Sequence, residues 1–157
     1  MREILFRGKR IDTGEWAYGV PVPVRENTYP VNVVEMVEYV NYDEMDNMWP
    51  DYSSVDVDPE TLGQYTGLTD QNGRKIFEGD ILSVEFDVQH PEEGEPDKYY
   101  ERAVVIFSKP YAGWLADYGY DTLYMSEYIS PNGESKCAEI ISNIHDNPEL
   151  LKGGEGE

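Results

Sequence analysis

Residues Thr61–Glu85 read TLGQYTGLTDQNGRKIFEGDILSVE, and these 25 residues decide the fold class. Asp70-Gln71-Asn72-Gly73 is a turn signal, because Asn and Gly tolerate the positive φ that a tight hairpin needs. Gln64-Tyr65-Thr66 leads into it and Lys75-Ile76-Phe77 leaves it, which predicts a hairpin. Glu78-Gly79-Asp80 then makes a corner. Beyond it Leu82, Val84, Phe86 and Val88 alternate with Ser83, Glu85, Asp87 and Gln89, the pattern of a half-buried antiparallel strand.

Working outward, the same period continues. Ile4-Leu5-Phe6 predicts a first strand, and Asp12-Thr13-Gly14 predicts a turn. Trp16, Tyr18 and Val20 alternate with smaller or polar residues and form an aromatic strand face. Pro21 and Pro23 restrict any continuation to an edge or a loop. Val31–Val40 reads as a strand, and Asn41–Ser54 as a long acidic loop carrying Met45, Met48, Trp49 and Tyr52. His90–Lys98, with two prolines, reads as an exposed loop, and Ala103–Phe107 as a central strand. Tyr111–Tyr128 predicts two short strands, Asn132-Gly133 a turn, and Ala138–Ile144 a last strand. Asn147-Pro148-Glu149 has the composition of a helix start. The expectation is a mainly β protein: a twisted antiparallel sheet forming a small barrel-like domain, with long acidic loops and a short C-terminal helix. Residues 1–151 are expected to form a single domain and 152–157 a disordered tail.

The composition narrows the function classes. The formal net charge is -20. Nucleic-acid binding needs Lys and Arg to displace counterions from phosphates, and anionic membranes repel such a chain. The charge is also uneven. From Glu26 to Gly73 there are 11 acidic residues and no Lys or Arg, whereas Arg2, Arg7, Lys9 and Arg10 open the chain. The basic N-terminus is expected to fold back on an acidic face. No apolar run approaches the ~20 residues of a membrane span. One cysteine, Cys137, permits no intramolecular disulfide and fits a reducing compartment, so the expected location is the cytoplasm.

Three stretches resemble the YopX-like family of bacteriophage and prophage proteins. They are FRGKRIDTGEWAYG (Phe6–Gly19), GQYTGLTDQNGRKIFEGDIL (Gly63–Leu82) and EIISNIHDNPELL (Glu139–Leu151). Together they hold about a third of the residues and span nearly the whole length. The resemblance implies a small phage or prophage protein in a bacterial host cell. It carries no catalytic or binding residues onto these positions. The acidic segments Asn41–Ser54 and Glu85–Glu101 lie outside the matching stretches.

Each polar cluster has a structural reading that outweighs a chemical one. Asp70, Asn72 and Gly73 superficially suggest a calcium loop, but Arg74 occupies the fifth position, where a ligand is needed. Asp80 is expected to accept backbone N–H groups at its corner, with Gly79 in a conformation closed to other residues. His90 beside Glu92 and Glu93, and His145 beside Asp146, have no ligand spacing. Cys137 has no sequence partner that would activate it. No catalytic, cofactor-binding or metal residue is therefore assigned, and no cofactor is expected. Tyr111, Trp114, Tyr118, Tyr120, Tyr124 and Tyr128 fall within 18 residues and suit either core packing or a self-association surface. The favoured function is a non-enzymatic accessory module that meets a basic host or phage protein through its acidic surface, and homo-oligomers are plausible. The alternatives are a metal-dependent enzyme of nucleic-acid metabolism and a DNA mimic that inhibits a DNA-binding protein.

Overall fold

The computed structural model describes residues 3–22, 34–39, 52–88, 91–127 and 137–151. The protein is mainly β, and its strands form two antiparallel sheets. The chain divides into two compact units, Met1–Tyr65 and Thr66–Glu157.

In the first unit β1 (Phe6–Lys9) pairs with β2 (Trp16–Val22), β2 with β3 (Val34–Tyr39), and β3 with β4 (Tyr52–Val57). Ala17, Met36 and Val57 form its buried core, with Phe6, Val55 and Leu62 packed against them. β1 starts two residues later than the apolar run Ile4–Phe6 suggests, and Ile4 is exposed. Gly8 explains the placement. A Cβ there would lie 2.9 Å from Val57 Cγ2, so only glycine lets the strand lie against Val57. Pro21 lies inside β2 opposite Met36 rather than ending it. The β1 ladder stops at Phe6↔Gly19, so among the described residues Pro21 has a strand neighbour on one side only and its missing N–H breaks no ladder there. The expected acidic loop over residues 41–54 is shortened, because Tyr52 already begins β4. Residues 41–51 lie outside the described residues, as do Pro23, Tyr128, Asn132, Gly133 and the expected tail.

The basic N-terminus is used locally. The Arg7 guanidinium sits 4.5 Å and Lys9 Nζ 5.4 Å from the centre of the Trp16 ring, and Arg10 pairs with Asp12 at 2.8 Å.

β5 (Gly63–Thr69) begins in the first unit, where Gln64 and Gly63 pair with Phe6 and Arg7. It ends in the second and is followed by β6 (Lys75–Phe77). The second unit also holds β7 (Asp80–Asp87), β8 (Lys98–Ser108), β9 (Gly113–Asp117), β10 (Thr122–Tyr124) and β11 (Ala138–Asn143), in the order β10-β9-β8-β7-β11. Its core is Ile76, Leu82, Val84, Ala103, Val105, Ala116, Met125 and Ala138. The larger aliphatic side chains in that set stabilise by about 1.5–3 kcal/mol each on burial. β8 is longer than its apolar run: Lys98–Arg102 extends it past the expected Ala103–Phe107. The terminal helix is a 3-10 turn, Pro148–Leu151, in which Leu150 N–H reaches back three residues to Asn147 C=O.

Candidate functional site

The two aspartates of the central motif are buried in the fold. Asp70 is buried, and its carboxylate accepts four N–H groups: Asn72 N (2.9 Å), Arg74 N (2.9 Å), Arg74 Nε (3.1 Å) and Ile140 N (3.1 Å). Burial alone would raise this carboxyl. The N–H groups of Ile140, Arg74 and Asn72, with the Arg74 side chain, outweigh burial and hold it below its ordinary value. Gly73 takes the positive φ, +78°, while Asn72 does not. Gly73 N–H bonds Asp70 C=O, and Asp70 N–H bonds Arg74 C=O. The turn is thus a three-residue hairpin loop closed by a left-handed glycine, rather than a two-residue turn.

The same loop ties the second matching stretch to β11. Gln71 N–H donates to Ala138 C=O, Arg74 donates to the Ile140 carbonyl, and the Asn72 amide donates to Glu139 at 3.2 Å. The next corner repeats the device. Asp80, also buried, accepts Phe77 N–H at 2.8 Å, and Gly79 has φ +85°. Gly79 N–H donates to Val105 C=O, and its own carbonyl accepts Ile144 N–H. Asn143 Oδ1 accepts the N–H groups of His145 and Asp146, closing the turn after β11. Cys137 is half-buried against the core. Among the described residues no group of three or more His, Cys, Asp or Glu gathers to hold a metal. Glu92, Glu93, Glu95 and Asp97 form an exposed loop closed by Val88 N–H on Asp97 C=O, and His90 lies outside the described residues.

A different face carries exposed groups. β8 pairs with β7 from Lys98 to Val104, but with β9 only from Val104 to Ser108. Where β9 ends, a cavity of about 610 Å³ opens, lined by Tyr100, Glu101, Arg102, Tyr118, Tyr120 and Leu150 among others. Tyr100 is 64% and Tyr120 75% exposed. Tyr120 OH donates to the Glu101 carboxylate, and this bond, with smaller help from desolvation and the Glu101 charge, pushes the phenol up to about 12. Tyr100 OH donates to Glu85 at 2.8 Å, and Lys98 donates to the same carboxylate. Those two bonds lower the Glu85 carboxyl. Arg102 donates to Leu150 C=O at 2.8 Å, fixing the C-terminal turn beside the cavity.

The aromatic cluster read from sequence divides here. Trp114 and Tyr118 pack on the core, whereas Tyr111, Tyr120 and Tyr124 are exposed. Tyr99 and Tyr100, absent from that cluster, are exposed as well; Lys98–Arg102 has no apolar alternation to mark it as strand. A more open depression of about 700 Å³ in the first unit, around Arg10 and Asp58, has no aromatic ring among its described lining residues. Among the described residues no helix is long and apolar enough to cross a membrane.

The fold has a solved counterpart. The chain is similar to protein EF1440 from Enterococcus faecalis, whose crystal structure superposes with a TM-score of 0.57 at 20% identity, covering 96% of this chain and 99% of that one. No curated protein matches. The family model described as YopX protein matches residues 6–152, nearly the whole chain, so the protein belongs to the YopX family.

Proposed function

We propose that this YopX-family protein is a phage or prophage accessory module that acts by protein–protein contact, and that the groove at the end of β9 is where it meets a basic partner. One observation carries the reading: tyrosines exposed around a cavity, with carboxylates among them, in a unit whose motif carboxylates Asp70 and Asp80 are buried and bonded to backbone N–H groups. Exposed tyrosines supply large contact area at low entropic cost, and they are enriched at interfaces. A net charge of -20 steers basic partners and weakens with salt. The test is capture from host lysate at low and high salt with the wild-type chain and with the double variant Tyr100→Ala, Tyr120→Ala. The expected result is a basic protein held at low salt, released at high salt and lost from the variant. Identical capture by both chains would remove the groove from the interaction.

A further inference from the structure

Among the described residues, strand β8 has a free edge inside this groove. Val105 C=O accepts Gly79 N–H, and Asp97 C=O accepts Val88 N–H, so both residues direct their main-chain groups toward the β7 side. Successive residues of a strand alternate, so Tyr99, Glu101 and Ala103 point the same way, and Tyr100 and Arg102 point away from β7. On that side β9 ends at Asp117, opposite Val104. Past this point the chain turns off, with Tyr118 N–H on Asp121 C=O and Gly119 N–H on the Asp117 carboxylate. Among the described residues, no main-chain partner reaches the N–H and C=O groups of Tyr100 and Arg102. An edge of this kind is a template for another strand.

The two sides of the edge differ chemically. Glu101, bridged to Tyr120, lies on one face of the sheet. Tyr100 and Arg102 lie on the other, where Arg102 holds the carbonyl of Leu150, and Leu150 and Leu151 line the cavity. We infer that the occupant is an extended segment of a basic protein that adds a strand to β8 at Tyr100–Arg102. Its residues alternate in character: cationic side chains meet Glu101 and the Tyr120 ring, and apolar ones meet Tyr100 and the two leucines. The cationic half is selected by charge complementarity and by attraction to the ring face. A second copy of this chain fits poorly, because pairing two β8 edges brings two Glu101 carboxylates and two chains of net charge -20 together.

This inference rests on the groove reading above, and one titration on the wild-type protein separates the two. The probes are a short peptide of alternating arginine and valine, its glutamate–valine counterpart, and the arginine peptide N-methylated at every second residue, in both possible phases. Strand addition predicts that the arginine peptide binds and the glutamate peptide does not. It also predicts that methylation in one phase weakens binding about tenfold or more, because it removes the N–H groups facing β8, while the other phase has little effect. Equal binding of both methylated forms would overturn strand addition and leave an electrostatic groove. No binding of any arginine peptide at low salt would overturn both. A chain that dimerises alone in sedimentation, and loses the dimer on adding peptide, would replace the basic partner by a second copy.

Discussion

The Asp70 corner and the Tyr100–Tyr120 groove lie in the same unit and use polar groups in opposite ways. At the corner a buried carboxylate meets four N–H groups, and the neighbouring glycines take conformations other residues resist. At the groove the tyrosines are exposed, their bonds run between side chains, and a strand edge has no partner among the described residues. A motif rich in Asp, Asn and Gly invites a metal or catalytic reading. Here that motif is the joint that holds β11 to the β5–β6 hairpin. What remains available for contact lies where the strand pattern is less regular.

The largest expected effect comes from breaking the corner. Asp70→Ala leaves Ile140 N–H, Arg74 N–H and Asn72 N–H without their acceptor and is expected to cost about 3 kcal/mol or more, read as a fall in the urea midpoint. A loss below ~1 kcal/mol would make the corner an ordinary turn. In the first unit, Gly8→Ala forces a methyl against Val57 and is expected to cost about 1–3 kcal/mol. A neutral result there would show that β1 has room to shift.

The corner also sets an acid response. The Asp70 carboxyl titrates below 3.8 in the folded chain, so the unfolded chain takes up this proton first as pH falls. Its stabilisation is complete above that value and is lost as pH drops through the folded pKa. Asp70→Asn is expected to flatten the acid limb of a stability–pH curve while lowering the neutral plateau. An unchanged acid limb would assign the response to other carboxylates.

Most of this scaffold was legible in the sequence for physical reasons. Buried, alternating strands such as β7 carry their period openly, and a glycine held at φ +78° leaves a recognisable turn. β4 and the first half of β8 were not legible. In residues 98–102, charged and aromatic side chains occupy both faces, so no apolar alternation marks the strand. In β4, Val55 and Val57 are too few to stand out beside an acidic run, and the strand is set by its six-residue ladder with β3. The groove was illegible for a further reason: it exists because β9 stops short of β8, a mismatch in strand length that appears only after pairing.

Smaller effects sharpen the groove. Tyr100→Ala with Tyr120→Ala should change stability by no more than about 1 kcal/mol while abolishing partner capture. A large stability loss would mean these rings belong to the scaffold. Glu101→Gln should bring the Tyr120 phenol down from about 12 toward 10.0, followed by NMR of labelled tyrosine rings. A phenol still near 12 would place the cause elsewhere. Neutralising Glu92, Glu93 and Glu95 should weaken capture modestly, at low salt only. Unchanged capture would take that loop out of the steering field.

The most direct measurement is residue-resolved amide hydrogen exchange of the chain, free and with the alternating arginine–valine peptide. In the free protein the Tyr100 and Arg102 amides should exchange far faster than those of Tyr99, Glu101 and Ala103, which face β7. Binding should slow Tyr100 and Arg102 and leave the 70–74 turn unchanged. Slow exchange at both residues in the free chain, or protection appearing at the turn instead, would contradict the division between a closed corner and an open edge.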